Sequence, residues 1–152
     1  EYWGDSEMLL HVDWRIKGMD AWKEAVRTAG QKKDALVFGC WYKEELEGTE
    51  LKEMDLRFSV FERCSLKRIS FDGCNLEGSR FSGSRFEGCR FYGCCLTGAD
   101  FSECAFENVS FEGAELTGAV FPAERVPFLH LDPRQLQKVM LKQGDEEEQR
   151  KL

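Results

Sequence analysis

The chain has 152 residues, a net charge of −7 and 42% hydrophobic residues, a balance typical of one folded domain rather than of a disordered chain. No apolar run approaches the roughly 18 residues that a membrane span needs. The acidic net charge argues against nucleic acid as a direct ligand, because phosphate binding requires clustered Lys and Arg.

Residues 1–50 differ in composition from the rest and contain all four tryptophans, Trp3, Trp14, Trp22 and Trp41. Alternation of polar and apolar residues from His11 to Lys17 predicts a strand. Asp20 is the predicted N-cap of a helix over about 21–30, with Trp22, Val26 and Ala29 on one face. The apolar run from Ala35 to Tyr42 predicts a second, buried strand.

A five-residue repeat then runs from Leu56 to Phe121. Every fifth residue is Leu or Phe at all 14 positions: Leu56, Phe61, Leu66, Phe71, Leu76, Phe81, Phe86, Phe91, Leu96, Phe101, Phe106, Phe111, Leu116 and Phe121. This period matches neither a helix nor a flat strand, so it predicts a chain that turns a corner at every step around a buried centre. The residue two before the centre is mostly small, as a close-packed interior requires. The residue two after it is Gly in eight of 14 steps, which suits corners with positive φ, and Asn108 tolerates the same conformation.

Columns of like residues indicate the number of sides. In a four-sided coil, residues 20 apart stack, which places Leu56, Leu76, Leu96 and Leu116 in one column and Phe61, Phe81, Phe101 and Phe121 in the next. A three-sided coil would mix Leu and Phe in every column. Like-on-like stacking favours four sides. Residues 52–121 then form about 3.5 coils, roughly 17 Å tall.

The repeat resembles the pentapeptide-repeat family, whose consensus is a small residue, Asp or Asn, Leu or Phe, and two further residues. It stands here as Cys74-Asn75-Leu76-Glu77-Gly78, Ala99-Asp100-Phe101-Ser102-Glu103 and Ala114-Glu115-Leu116-Thr117-Gly118. The resemblance implies an all-β solenoid, a right-handed quadrilateral β-helix. Two departures are the Cys and Ser residues that replace the usual Ala, and Arg80, Arg85 and Arg90 at the Asp/Asn position.

The segments around the repeat are expected to cover its ends. The predicted organisation is a mixed α/β, Trp-rich cap over 1–50, the β-helix over 51–122, a capping helix within 123–144 and a disordered tail over 145–152. A binding surface in the Trp-rich segment is the alternative to a cap, since four tryptophans are a large apolar area. Asp132-Pro133-Arg134-Gln135 is a strong helix start, with Leu136, Val139 and Met140 predicted on the buried stripe and Gly144 as its stop.

The seven cysteines offer a metal or redox hypothesis, which the spacing opposes. No Cys-x₂-Cys pair exists and His is scarce, so Cys64, Cys74, Cys89, Cys94 and Cys104 are interpreted as small buried residues. We expect free thiols, hence a reducing, cytoplasmic location, with Cys95 as the outward and most reactive thiol. His11 and His130 have no visible nucleophile partner, so no catalytic, metal or cofactor site is predicted.

A filled solenoid presents flat faces rather than pockets, so we expect a non-enzymatic interaction or scaffold module. The candidate partner-binding residues are Asp72, Tyr92 and Glu112 on one face, and Arg80 and Asp100, with Val60 and Val120, on another. The Arg80, Arg85 and Arg90 run is predicted to form a ring around one coil rather than a basic patch.

Two alternatives come from the resemblance. One is the DNA-mimicking, gyrase-binding mode of quinolone-resistance members, which calls for a strongly acidic rod, whereas residues 52–121 carry only eight Lys/Arg and 11 Asp/Glu, a net −3. The other is a bacterial secreted effector fragment or toxin-neutralising partner. The expected partner is a protein, without direct nucleic-acid or membrane binding. The expected state is a monomer or a dimer formed through the C-terminal helix.

Overall fold

The computed structural model describes residues 19–32, 34 and 36–143. The helices are α1 (Met19–Gln31) and α2 (Pro133–Lys138), and a 3₁₀ turn covers Val126–Phe128. The strands are β1 (Cys40–Tyr42), β2 (Glu45–Glu50), β3 (Val60–Glu62), β4 (Ser65–Ser70), β5 (Arg85–Glu87), β6 (Ala105–Glu107), β7 (Val120–Pro122) and β8 (Met140–Lys142). Within these residues, no helix combines the length and apolar character needed to cross a membrane.

Some predictions fall on residues outside those ranges. They are the strand from His11 to Lys17, the roles of Trp3 and Trp14, the stop at Gly144 and the disordered tail over 145–152.

The strands wind into a solenoid in which each residue lies beside the one 20 positions later. Strand β1 pairs with β3, with Cys40 beside Val60, and β7 pairs with β8, with Val120 beside Met140. Strands β2, β4, β5 and β6 form a third sheet. Isolated bridges such as Asn75 to Cys95 join the remaining coils, and every pairing is parallel. The predicted four-sided β-helix is confirmed. It makes about five turns rather than the predicted 3.5.

Four columns of apolar side chains fill the interior, and they define the sides used below. Side 1 carries Leu56, Leu76, Leu96 and Leu116; side 2 carries Phe61, Phe81, Phe101 and Phe121; side 3 carries Leu66, Phe86 and Phe106; side 4 carries Phe71, Phe91 and Phe111. Rings stack within a column: the ring centres of Phe71 and Phe91 are 4.9 Å apart, and their planes differ by 3°. They meet edge to face between columns, as between Phe81 and Phe91 at 80°. Of the 14 repeat centres, only Phe106 is not fully buried.

Helix α1 covers the N-terminal end of this core. Trp22 is fully buried and its ring meets Trp41 edge-on at 5.2 Å, while its indole Nε1 donates to Thr49 Oγ1 at 2.7 Å. Trp41 in turn stacks on Phe61 at 4.9 Å, so it continues the side 2 column upward. Helix α1 therefore caps the solenoid, and Trp22 and Trp41 are core residues.

Three N-terminal predictions need correction. Asp20 is the second residue of α1 rather than its N-cap. The strand predicted from Ala35 to Tyr42 is only Cys40–Tyr42, because the chain turns a corner at Phe38, where φ is +62°. The boundary predicted at residue 51 is also too late, since β1 and β2 already pair with the next coil.

The C-terminal end differs from its prediction in a similar way. The Asp132–Gln135 capping box is present, but α2 has only six residues, and Met140 belongs to β8, which pairs with β7. The predicted stripe is wrong: Leu136 is 45% exposed, whereas Gln135 is buried. Gln135 faces inward because its amide donates to the carbonyl oxygens of Phe111 and Ala114, at 2.8 and 3.0 Å.

Candidate functional site

Side 4 carries Asp72, Tyr92 and Glu112 in one outward column, as predicted. Backbone hydrogen bonds of 2.8 and 2.9 Å to the carbonyls of Tyr92 and Glu112 join the successive coils. Asp72 accepts a hydrogen bond from Arg90 at 2.7 Å, and the Arg90 guanidinium lies 5.7 Å from the centre of the Tyr92 ring. Tyr92 is still 48% exposed, so the column presents an aromatic ring to solvent.

Side 2 carries Val60, Arg80, Asp100 and Val120 in a second column, joined by parallel bridges. Arg80 forms an ion pair with Glu62 at 2.9 Å. The Asp100 carboxylate accepts the Ser102 backbone N–H at 2.8 Å. Both charged side chains are thus engaged within the chain before any partner arrives.

The five candidate residues do not form one surface. Sides 2 and 4 are opposite sides of a four-sided coil, so a partner that docks flat on Tyr92 does not reach Arg80 or Asp100. The arginine run is distributed in the same manner. Arg80 pairs in register with Val60, Arg85 with Ser65 and Arg90 with Ser70, which places them on three different sides and confirms the predicted ring.

Two exposed phenylalanines near the N-terminal end were not among the predicted site residues. Phe38 and Phe58 occupy the corner between sides 1 and 2, with φ of +62° and +59°, and are 61% and 45% exposed. Their rings stack at 5.4 Å and 16°. The sequence held a usable signal, because the same corner carries Gly78, Gly98 and Gly118 in later coils.

All seven cysteines are free thiols, as predicted. Cys64, Cys74, Cys89, Cys94 and Cys104 are buried in the interior. Burial raises the pKa of the Cys64 and Cys74 thiols to about 11 and that of Cys104 to about 12. Cys95 is half-buried, and the exposed thiol that the prediction missed is Cys40. Partial burial, together with the nearby Glu62 carboxylate, raises the pKa of Cys40.

Two surface concavities lie near the C-terminal end. One, of about 310 Å³, opens beside Phe106 and is lined by Arg125, Phe128 and Leu129. The other, of about 170 Å³, lies where Gln135 and Lys138 pass over Glu115. Among the described residues, no group of three His, Cys, Asp or Glu side chains is placed to hold a metal ion.

The five-residue sequence repeat that forms these coils matches a known family. A family profile described as pentapeptide repeats, in nine copies, matches residues 61–105 and 86–122. Residues 61–122 belong to the pentapeptide-repeat family. In the structure, further coils extend this matched segment at both ends. No curated protein is similar enough in sequence to count as a relative.

Solved pentapeptide-repeat structures resemble the chain at low identity. A pentapeptide repeat protein from the thylakoid lumen of Arabidopsis thaliana is 23% identical over 66% of this chain and 70% of its own, with a TM-score of 0.33. Rfr23 from the cyanobacterium Cyanothece 51142 is 12% identical over 82% of this chain and 96% of its own, with a TM-score of 0.39. QnrB1, a plasmid-mediated fluoroquinolone resistance protein, is 17% identical over 77% of this chain and 87% of its own, with a TM-score of 0.31. At these identities the similarity concerns the fold alone.

Proposed function

We propose that this chain is a non-enzymatic interaction module that docks a protein partner on a flat, rigid side of its solenoid. The observation that carries the proposal is the Asp72–Arg90–Tyr92 arrangement on side 4. An ion pair of 2.7 Å fixes the guanidinium, and the guanidinium lies against the exposed Tyr92 ring. Tyr is enriched at the energetic centres of interfaces, and a side chain held in place before binding loses little entropy when a partner covers it.

The filled interior supports a binding role over catalysis. Thirteen of the 14 repeat centres are buried, and the two concavities, of about 310 and 170 Å³, lie at or below the lower end of ligand-pocket sizes. Neither is lined by a nucleophile next to a base, the arrangement that covalent catalysis needs.

The proposed location is a reducing compartment, the cytoplasm. Its support is the state of the thiols: all seven are free, and five of them lie in the core. Structural cysteines in oxidising compartments are normally paired.

The alternatives receive uneven support. Residues 40–143 carry 13 Lys/Arg and 17 Asp/Glu, a net −4 with both signs on every side, so no feature specifically favours imitation of DNA. Nothing in the described residues specifically favours a secreted effector role. A dimer through the C-terminal end has some support, since Leu136, Met140 and Leu141 are 45, 59 and 53% exposed there.

Site-specific photocrosslinking in extract of the source cells tests the proposal. A benzoylphenylalanine replaces Tyr92 on side 4 in one protein and Asp100 on side 2 in another, at equal expression. We expect one adduct of defined mass from position 92 and none of that mass from position 100. Equal adducts from both positions, or none from position 92, would contradict docking on side 4.

A further inference from the structure

We propose that side 2 docks a second copy of this chain, face to face and with the two solenoid axes antiparallel. This contact lies on the side opposite Tyr92, so it goes beyond the proposed function and leaves side 4 of both copies uncovered. It is carried by one outward column of side 2. We call this the side 2 column, and its members are Cys40, Val60, Arg80, Asp100, Val120 and Met140.

The members of the side 2 column lie in register, one in each successive coil. Parallel pairing joins each to the next: Cys40–Val60, Val60–Arg80, Arg80–Asp100, Asp100–Val120 and Val120–Met140. Three of them are exposed, Cys40, Arg80 and Met140, and the other three are half-buried. From the N-terminal end the column therefore presents two apolar residues, a cation, an anion and two apolar residues.

This order is its own complement when it is reversed. A two-fold axis that lies along the strands, midway between Arg80 and Asp100, places Arg80 opposite the Asp100 of the second copy and Asp100 opposite its Arg80. The same axis places Val60 opposite Val120 twice. A two-fold interface uses the same patch of both copies, so that if residue i contacts j, then j contacts i. The side 2 column meets this condition, which selects a second copy as the occupant.

The ends of the column obey the same symmetry, whereas side 4 does not. Cys40 of one copy faces Met140 of the other, and both side chains are exposed. On side 4, an axis through Tyr92 would place Asp72 opposite Glu112, which brings like charges together. Self-association is therefore favoured on side 2 and opposed on side 4.

Both central charges have an atom available for this contact. Arg80 uses one guanidinium nitrogen for Glu62, at 2.9 Å, and its side chain is still 60% exposed. The Asp100 Oδ1 atom accepts the backbone N–H and the hydroxyl of Ser102, while Oδ2 accepts no hydrogen bond from any described residue. Two reciprocal Arg80–Asp100 ion pairs can therefore form without loss of contacts within either chain.

The neighbouring outward column allows the two faces to approach. Its middle members are Ser82, which is half-buried, and Ser102 and Pro122, which are buried. Gly83 follows Ser82 at the corner and has no side chain. Packed sheets lie about 10 Å apart, a distance that opposed Arg and Asp side chains can span.

The acidic excess of the chain lies outside this contact. Side 2, with the corner that follows it, carries four cations and three anions in a chain of net charge −7: Lys43, Arg63, Arg80, Lys142, Glu62, Asp100 and Glu103. The axis brings Glu103 of one copy within one coil step of Arg63 of the other, and Lys142 within one coil step of Glu62. Like charges approach where Lys142 nears Lys43, at the exposed ends of the side. Lys138, at the preceding corner, is already paired with Glu115.

Charge reversal followed by mixing tests the proposal. Sedimentation velocity of the full-length chain under reducing conditions, from about 5 to about 500 µM, should show a reversible dimer, weak because one solenoid side is a small interface. Arg80→Asp sets a second carboxylate against Asp100, and Asp100→Arg sets a second guanidinium against Arg80. Each variant alone should therefore have a dissociation constant at least about tenfold higher. An equimolar mixture of the two variants restores opposite charges at both contacts and should form a heterodimer.

Crosslinking tests the antiparallel direction. In Met140→Cys, the new thiol should face Cys40 of the second copy, and a short bismaleimide should join them. Within one chain these positions lie five coil steps and about 24 Å apart, beyond the span of such a reagent. Mass spectrometry of tryptic peptides should therefore find position 140 joined to Cys40 in the dimer fraction. Tyr92→Asp on side 4 and Leu136→Asp at the C-terminal end are the controls, and both should dimerise like the wild type.

Three sedimentation results would overturn the inference. They are a wild type that stays monomeric at every concentration, as it would if residues 1–18 or 144–152 covered side 2; charge-reversal variants that dimerise like the wild type; and a mixture that stays monomeric although both variants keep the wild-type circular dichroism. A dimer that is lost in Leu136→Asp and kept in the charge-reversal variants would assign self-association to the C-terminal end. Crosslinks that join position 140 to position 140 would contradict the antiparallel contact. Docking on side 4 is tested at position 92, so the two proposals fail separately.

Discussion

The Cys94 sulfur lies 2.7 Å from the carbonyl oxygen of Phe71, one coil earlier in the solenoid. Cys104 has the same relationship to Phe81 at 2.9 Å, and Cys89 to Leu66 at 3.2 Å. In each case the thiol donates to a carbonyl 23 residues back, at the centre of a buried column. An alanine at the same position offers no donor. Cysteine in the small inward position therefore adds a hydrogen bond between coils.

Cys94→Ala should lower the free energy of unfolding by about 1–2 kcal/mol, because it removes this hydrogen bond and leaves a small cavity. Cys94→Ser should cost less, since Ser84 at an equivalent position donates to the Phe61 carbonyl. Urea unfolding under reducing conditions measures both variants. Equal losses for Ala and Ser would show that the bond contributes nothing.

Alkaline pH should destabilise the fold through the same thiols. The raised pKa of Cys74, about 11, means that the unfolded state loses this proton first as pH rises above about 9. The contribution of the thiol to the free energy of unfolding is complete below pH 9. It declines between pH 9 and about 11, by about 1.4 kcal/mol per pH unit. Urea midpoints between pH 8 and 10.5 should therefore fall less steeply for Cys74→Ala than for wild type. Ser84→Ala, at an inward position that does not titrate, should keep the wild-type slope; identical slopes for all three proteins would contradict the assignment.

The middle of the fold could be predicted from sequence because each coil there is restricted by a neighbour on both sides. Phe91 stacks between Phe71 and Phe111, so size and apolarity are fixed at that position. The first and last coils have a neighbour on one side only. Trp41 lies in register with Phe61 without being Leu or Phe, and Leu141, in register with Phe121, is separated from the repeat by a 3₁₀ turn and a helix. For these reasons the solenoid was predicted to be shorter than it is.

The prediction for α2 failed for a different reason. Hydrophobic periodicity assumes that a helix buries its apolar stripe, but this helix packs against a solenoid end that presents backbone carbonyls. Gln135 satisfies two of them, so the polar side chain is buried and Leu136 is exposed. At the candidate site, the column of Asp72, Tyr92 and Glu112 followed from the period, whereas the Arg90 contact and the Phe38–Phe58 stack depend on side-chain conformation that the period does not specify.

Thiol labelling of the native protein should separate the two cysteines that are accessible to reagent from the five that are buried. We expect Cys40 and Cys95 to react in the folded protein and the inward five to react only after denaturation, because the core excludes the reagent. The raised pKa of Cys40 reduces its thiolate fraction, so its rate should increase with pH and increase further in Glu62→Gln. Mass spectrometry of tryptic peptides after short labelling identifies each site. Rapid native labelling of Cys74 or Cys94 would contradict the packed interior.

Phe91→Asp tests the aromatic ladder. The substitution places a carboxylate between rings that stack at 4.9 and 5.0 Å, where no partner for the charge is available among the core side chains. An unpaired buried charge costs more than most domains can tolerate, so we expect loss of cooperative unfolding, a change of more than about 4 kcal/mol. Tyr92→Asp places the same charge one residue away on the surface and should stay folded. A cooperative transition in Phe91→Asp close to that of Tyr92→Asp would refute the ladder.

Gln135 should determine the stability of the C-terminal end. Its amide donates to the carbonyls of Phe111 and Ala114, and its oxygen accepts the Asp132 N–H at 3.0 Å. Gln135→Ala should therefore cost about 2–3 kcal/mol, because it leaves the buried Ala114 carbonyl without this donor and removes one of the two hydrogen bonds to the Phe111 carbonyl, which also accepts the Ala114 N–H. Gln135→Glu should cost more at neutral pH, since a carboxylate would face those carbonyls. Gln137→Ala, at an exposed position of the same helix, should change stability by less than about 0.5 kcal/mol. If the two alanine variants unfold at the same urea concentration, the buried amide does not close the solenoid, and the exposed Leu136 side would have to be reconsidered as the face that packs.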